Sequence, residues 1–145
     1  MSEVNGCRLP EDLYYWPDKH VWARPEPDGT VVVGMTDVAQ SLAGKIIVAS
    51  LRVGKKLVRG KSAGTLESGK WVGTVSTPVA GEVVEINSAL KGNASIINDD
   101  PYGSGWLVRV QPVNWEEDRE LLVTGPEGIQ KYQEKLDSEG ISCKH

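Results

Sequence analysis

Short runs of alternating apolar and polar residues recur along the chain, and the clearest pair frames one lysine. Thr65-Leu66-Glu67-Ser68 and Val72-Gly73-Thr74-Val75 alternate on either side of Gly69-Lys70-Trp71. Two such runs joined by a short glycine-containing step predict a β-hairpin. Lys70 then stands at its tip, in solvent. Gly69 is expected to supply a turn shape that other residues resist. A lone Gly-Lys step is an ordinary surface turn. A lysine held on a rigid, exposed tip is also open to a modifying enzyme.

The same reading places the other elements. Residues 1–10 show no periodicity and are expected to form a loose leader. Strands are predicted over 13–16, ended by Pro17, and over 21–24 and 30–35, joined by a turn rich in Pro, Asp and Gly. Thr36 caps a short helix over 37–43, with Asp37 in its first turn and Gly44 closing it. A strand over 45–50 leads into a basic stretch containing Arg52, Lys55, Lys56 and Arg59. That cluster reads equally as a contact for an acidic partner or as a solvated strand edge that deters aggregation. A turn over 77–81 precedes a strand over 82–86. Gly44-Lys45-Ile46-Ile47-Val48 is faintly echoed by Gly81-Glu82-Val83-Val84-Glu85, as in two similar halves sharing one core. Residues 98–105 are turn-rich, and 106–110 form a closing strand with Trp106 expected in the core. Thr124 and Glu127 fit a capping box, with Pro126 early in the helix. Ile129, Tyr132 and Leu136 share one helical face, which would clamp the β core. Residues 140–145 read as a tail.

Composition narrows the class. A chain of 145 residues is expected to form a single domain, with a core over about 13–123 and a C-terminal helix over about 125–139. The 16 glycines between short Val/Ile runs favour a mainly β fold. A net charge of −4 gives no reason to expect nucleic acid as a partner. No apolar run approaches the roughly 20 residues that span a bilayer, and the first residues lack a signal pattern. Cytoplasmic location is the resulting expectation, with no membrane partner. Cys7 and Cys143 form neither a disulfide framework nor a metal cluster by their spacing, and read as two exposed thiols near the chain ends. The two histidines, His20 and His145, sit in no triad pattern. Asp99-Asp100 reads as a turn-forming step. With no phosphate loop and no clustered ligands, the chain reads as a non-catalytic carrier whose cofactor does the reactive work.

Several blocks, in order, carry a family resemblance. They are residues 33–40, Glu67-Ser68-Gly69-Lys70, residues 76–87, and Asn98-Asp99-Asp100-Pro101-Tyr102-Gly103-Ser104-Gly105-Trp106-Leu107. Together they resemble the H protein of the glycine cleavage system, over about residues 16–132. The resemblance implies a barrel-sandwich hybrid of the lipoyl/biotinyl type: two antiparallel sheets, short flanking helices and a C-terminal helix. It implies lipoic acid as cofactor, amide-linked to Lys70, with Glu67, Gly69 and Trp71 as flanking recognition residues and arm environment. It also implies a monomer served by a lipoate-protein ligase or lipoyl-assembly enzymes, and by the glycine cleavage P, T and L proteins. A biotin carrier fits less well, since its lysine usually lies between methionines.

The departures matter as much. The family usually reads Glu-Ser-Val-Lys-Ala around its lysine, where this chain has Gly69 and Trp71. Two acidic positions of the family fall on Val21 and Thr74, and a usually polar one on Leu42. Losing two carboxylates removes contacts that would hold a cationic aminomethyl group. The Gly-Lys-Trp context is similar to the lipoate-binding proteins of the sulfur-oxidising heterodisulfide-reductase-like pathway. On that resemblance the arm carries sulfur-bonded intermediates, and the partners are a heterodisulfide-reductase-like complex and dihydrolipoyl dehydrogenase. The sequence favours the sulfur-oxidation reading, with the aminomethyl carrier of glycine cleavage as the alternative.

Overall fold

The computed structural model describes residues 2–144. A short hairpin of β1 (Ser2–Val4) and β2 (Cys7–Leu9) opens the chain. Then follow β3 (Tyr14–Trp16), β4 (Val21–Pro25), β5 (Val31–Met35) and helix α1 (Asp37–Ala43). The middle holds β6 (Ile46–Leu51), β7 (Lys56–Leu57), β8 (Ser62–Ser68), β9 (Val72–Ser76) and β10 (Gly81–Ile86). The remainder is α2 (Ile96–Asp99), β11 (Val108–Pro112), α3 (Trp115–Arg119), β12 (Val123–Thr124) and α4 (Gly125–Glu139).

Two antiparallel sheets form a sandwich. One has seven strands in the order β12-β3-β4-β5-β11-β10-β7, and the other has three, β6-β8-β9. Val21, Ala23, Val31, Val33, Val83 and Val110 of the large sheet meet Ile46, Ala63, Leu66 and Val75 of the small one in a single core. The far face of the large sheet is buried as well: Tyr15, Trp22 and Val32 pack under Ile129, Tyr132 and Leu136 of α4. Burial on both faces explains why β5 reads as an unbroken apolar run rather than an alternation. The two faintly repeated segments fall in different sheets, β6 in one and β10 in the other.

The sequence reading fails at several places, each for a physical reason. Residues 2–9 are not a loose leader, because Cys7 and Leu9 are buried in the apolar cluster that also holds Val38 of α1 and Ile129, Tyr132 and Leu136 of α4. Nor is the C-terminal stretch a free tail: Cys143 is buried and its amide donates to the carbonyl of Asn5 at 2.9 Å. His145 lies outside the described residues. Cys7 and Cys143 are not exposed thiols but partners in a disulfide, with Cα atoms 4.9 Å apart across a sequence separation of 136. Spacing alone hid the pair, since only the docked N-terminal hairpin brings the ends together.

Two further corrections concern α4 and the closing strand. Thr124 does not complete a capping box; its hydroxyl donates instead to the carbonyl of Leu13 at 2.7 Å, tying the helix start to β3. Trp106 precedes β11 and is only half-buried. The fully buried indole is Trp22.

The disulfide carries a prediction. Closing so long a loop restricts the unfolded chain, so Cys7→Ser should lower unfolding free energy by about 2–5 kcal/mol. Denaturant titration of the oxidised and Cys7→Ser proteins would measure it. Matching midpoints would show that hairpin packing, not the bond, holds the chain ends.

Candidate functional site

The tip of the β8–β9 hairpin is a two-residue turn, Gly69-Lys70. It is bounded by Glu67 opposite Val72 and by a backbone hydrogen bond from Ser68 N–H to the Trp71 carbonyl at 2.8 Å. Lys70 is exposed, and among the described residues it makes no ion pair. Gly69 is not needed for its shape: its φ is not positive, and an added Cβ would meet nothing within 4 Å. The expectation that this position demands glycine is therefore wrong. Two neighbouring glycines matter more: Gly73, whose Cβ would run into the Trp71 ring, and Gly44 at the end of α1. The φ of Gly44 is +81°, and a Cβ there would lie 2.9 Å from Cε of Lys70. The lysine stem thus lies across the end of α1.

Ser68, which sequence reasoning passed over, anchors this tip. Its buried hydroxyl donates to the carbonyl of Ala43 at 2.6 Å and accepts from the Lys70 amide at 3.3 Å. The signal was available, since a serine two residues ahead of a turn amide is a familiar side-chain-to-backbone pairing. A second brace comes from Asn98 in α2. Its amide donates to the Gly44 carbonyl at 2.8 Å, and its Oδ1 accepts from Ile46 N–H at 2.8 Å. Asn98 fixes the α1–β6 corner, Ala43 fixes Ser68, and Ser68 fixes the tip. Of the other predicted residues, Glu67 is exposed on β8, and Trp71 folds its ring over the backbone of Gly73.

Beside the tip lies a cavity of about 190 Å³. Val21, Leu42, Thr74 and Trp71, noted separately in the sequence as departures, all line it, together with Met35 and Ala39. No carboxylate does, whereas Lys19 and His20 are on its wall. His20 Nδ1 lies 2.6 Å from the Tyr132 hydroxyl, which lies 2.9 Å from Thr36 Oγ1. Burial, and then the positive charge of Lys135, push the His20 imidazole below its ordinary pKa. It is accordingly neutral at physiological pH. The exposed Asp99-Asp100 step lies away from this wall; Asp100 accepts from the Ser104 amide and hydroxyl, a turn-forming role.

A β-sandwich with a braced hairpin tip that presents an exposed lysine beside a small cleft has the shape of a carrier domain. Comparison with known proteins gives the family. A model of the family "Glycine cleavage H-protein" matches residues 13–137. Glycine cleavage system H protein 5 of Aquifex aeolicus is 46% identical over 148 residues, covering 99% of each chain. A probable glycine cleavage system H protein 2 of Saccharolobus solfataricus is likewise 46% identical, over 147 residues and 99% of each chain. The crystal structure of a glycine cleavage system H protein from Mycobacterium marinum superimposes with a TM-score of 0.74 at 34% identity, covering 92% of this chain and all of that one. This chain belongs to the glycine cleavage H-protein family. Members are non-catalytic carriers with lipoate attached to a lysine, and the sandwich seen here is their lipoyl-domain fold.

Proposed function

We propose that Lys70 carries the lipoyl group and that the chain shuttles aminomethyl units for glycine cleavage. The P, T and L proteins and a lipoylating enzyme are its partners in this reading. The observation that carries the attachment site is Lys70 itself: exposed, unpaired and on a turn braced by Ser68 and Asn98. The names of the relatives support the pathway. A lipoyl group on lysine supplies a dithiolane that can be reduced, loaded and reoxidised. The chain's own contribution is a rigid tip, a stem laid over Gly44 and a cleft beside it. Tethering raises the effective concentration of the cargo at each partner. A cytoplasmic setting belongs to the proposal; a disulfide there fits organisms whose intracellular proteins keep such bonds, as hyperthermophiles do.

One observation favours a second reading. The cleft wall has Lys19 and no carboxylate, so a cationic aminomethyl group finds a like charge and no acceptor anion there. An uncharged, sulfur-bonded cargo handled by a heterodisulfide-reductase-like system meets no such penalty. Reconstitution of the lipoylated chain with the P and T proteins separates the two. Turnover matching that of an authentic H protein is expected on the first reading and excludes the second. Turnover that is low, yet rises about tenfold or more in Val21→Glu/Thr74→Asp, is the result expected on the second, since one such charge-assisted contact contributes at least about 1.4 kcal/mol.

A further inference from the structure

Residues 38–66 contain six of the chain's Lys and Arg residues and no Asp or Glu, in a molecule whose net charge is −4. Folding gathers part of this charge at one place. A groove of about 580 Å³ is lined by Ser50, Arg52, Lys55, Ser62 and Thr65, with Val53 on its rim. Among the described residues, Arg52, Lys55, Lys56 and Lys61 form no ion pair, whereas Arg24, Arg109, Arg119 and Lys135 all do. Arg59 stands apart: its guanidinium stacks 3.8 Å over the Trp16 ring and serves the fold.

Protection of a sheet edge explains only part of the cluster. Lys56 lies on β7, the edge strand of the large sheet, and there a lysine deters pairing with other chains. Lys55, whose carbonyl accepts from Val83 N–H of β10, prolongs that edge, whereas Arg52 lies in the turn before it and Lys61 after it, so edge protection does not account for these two. Arg52 and Lys55, unpaired on a concave surface, give it a positive potential that favours an incoming anion. Val53, 54% exposed, and Leu51 also line the groove, adding apolar contact to the charge.

We propose that this groove docks an acidic, extended peptide segment of a partner protein. A point charge alone would not use Val53 and Leu51, whereas a peptide alternating acidic and apolar side chains uses both kinds of contact. The groove's nearest lining residue along the chain, Thr65, is five residues from Lys70, about 17 Å at the rise of a strand. A partner held there leaves the lysine tip uncovered, so docking and transfer occupy separate surfaces. The proposal does not depend on what Lys70 carries, and it is tested with Lys70 unmodified.

The probe is a short peptide alternating glutamate and leucine, with its lysine–leucine counterpart as control. It is titrated into the isotope-labelled chain and followed by amide chemical shifts. Shifts should cluster over 50–55 and 62–65 with the acidic peptide alone, and weaken as salt rises past about 0.1 M. Arg52→Glu/Lys55→Glu should weaken binding about tenfold or more, Lys55→Ala should weaken it less, and Lys91→Glu/Lys131→Glu should leave it within about twofold. The unliganded spectrum of each variant checks its fold. Shifts clustering elsewhere, or equal weakening by the two charge reversals, would overturn the proposal. So would tighter occupation of the groove by inorganic pyrophosphate or by a short oligouridylate, which would make it a phosphate or RNA site.

Discussion

Lys70→Ala, co-expressed with a lipoate-protein ligase, should emerge with no added lipoyl mass, while the wild-type chain gains one lipoyl group. Intact-mass measurement reads the difference as all or none. The argument is geometric. Attachment needs a nucleophilic amine that a ligase active site can surround, and Lys70 stands at the end of a hairpin with open space beside Gly69. The substitution should leave the fold alone, shifting stability by no more than about 0.5 kcal/mol. Its side chain is exposed and contacts the end of α1 only through its stem. Lys91→Ala, at another exposed lysine, is the control and should be modified as wild type. A lipoyl group persisting on Lys70→Ala would refute the attachment site.

Trp22→Ala should act in the opposite way, sparing the tip and damaging the fold. The Trp22 ring is 0% exposed. Its Nε1 donates to the Met35 carbonyl at 2.9 Å and to the Pro101 carbonyl at 3.1 Å. The ring also occupies the space over Gly34, where an added Cβ would lie 2.5 Å from its atoms. Removing it opens a cavity between β4 and α4 and strips a donor from two acceptors. The expected cost is about 3–5 kcal/mol, or a melting midpoint lower by roughly 10–20 °C. Trp106→Ala, at a half-buried indole, should cost less. Midpoints ranked Lys70→Ala highest, then Trp106→Ala, then Trp22→Ala would fit this placement. A Trp22→Ala midpoint within a few degrees of wild type would contradict it.

The contrast between these two tryptophans shows what the sequence could and could not convey. Alternation and turn residues are local, so the hairpin around Lys70, the β4–β5 pairing and helix α1 were legible, the last with its Thr36 cap in place. Burial of a half-apolar strand on its second face depends on what packs there. Nothing near Trp22 in the chain announces α4, which lies about a hundred residues away. The N-terminal hairpin was illegible for the same reason, being three residues per strand and stabilised by a helix at the other end of the chain. α3, made of Trp115 and four charged residues, offered no apolar stripe. At the site, the turn made Lys70 visible, and the resemblance to the family pattern singled it out together with Trp71. That Val21, Leu42 and Thr74 share one cleft wall required strands and helix to be brought together.

The bond between Cys7 and Cys143 makes the segment between them a covalent ring. Energy-driven proteases of the threading kind grip a chain end and draw a single strand through a narrow pore. Pulling this oxidised chain from either end would bring two strands to the pore at once, with no free strand to follow. The same ring denies exopeptidases any route into the β-sandwich. A carrier whose arm must survive repeated loading would, in its oxidised form, be turned over slowly. Its lifetime would then follow the redox state of its surroundings rather than the stability of its core.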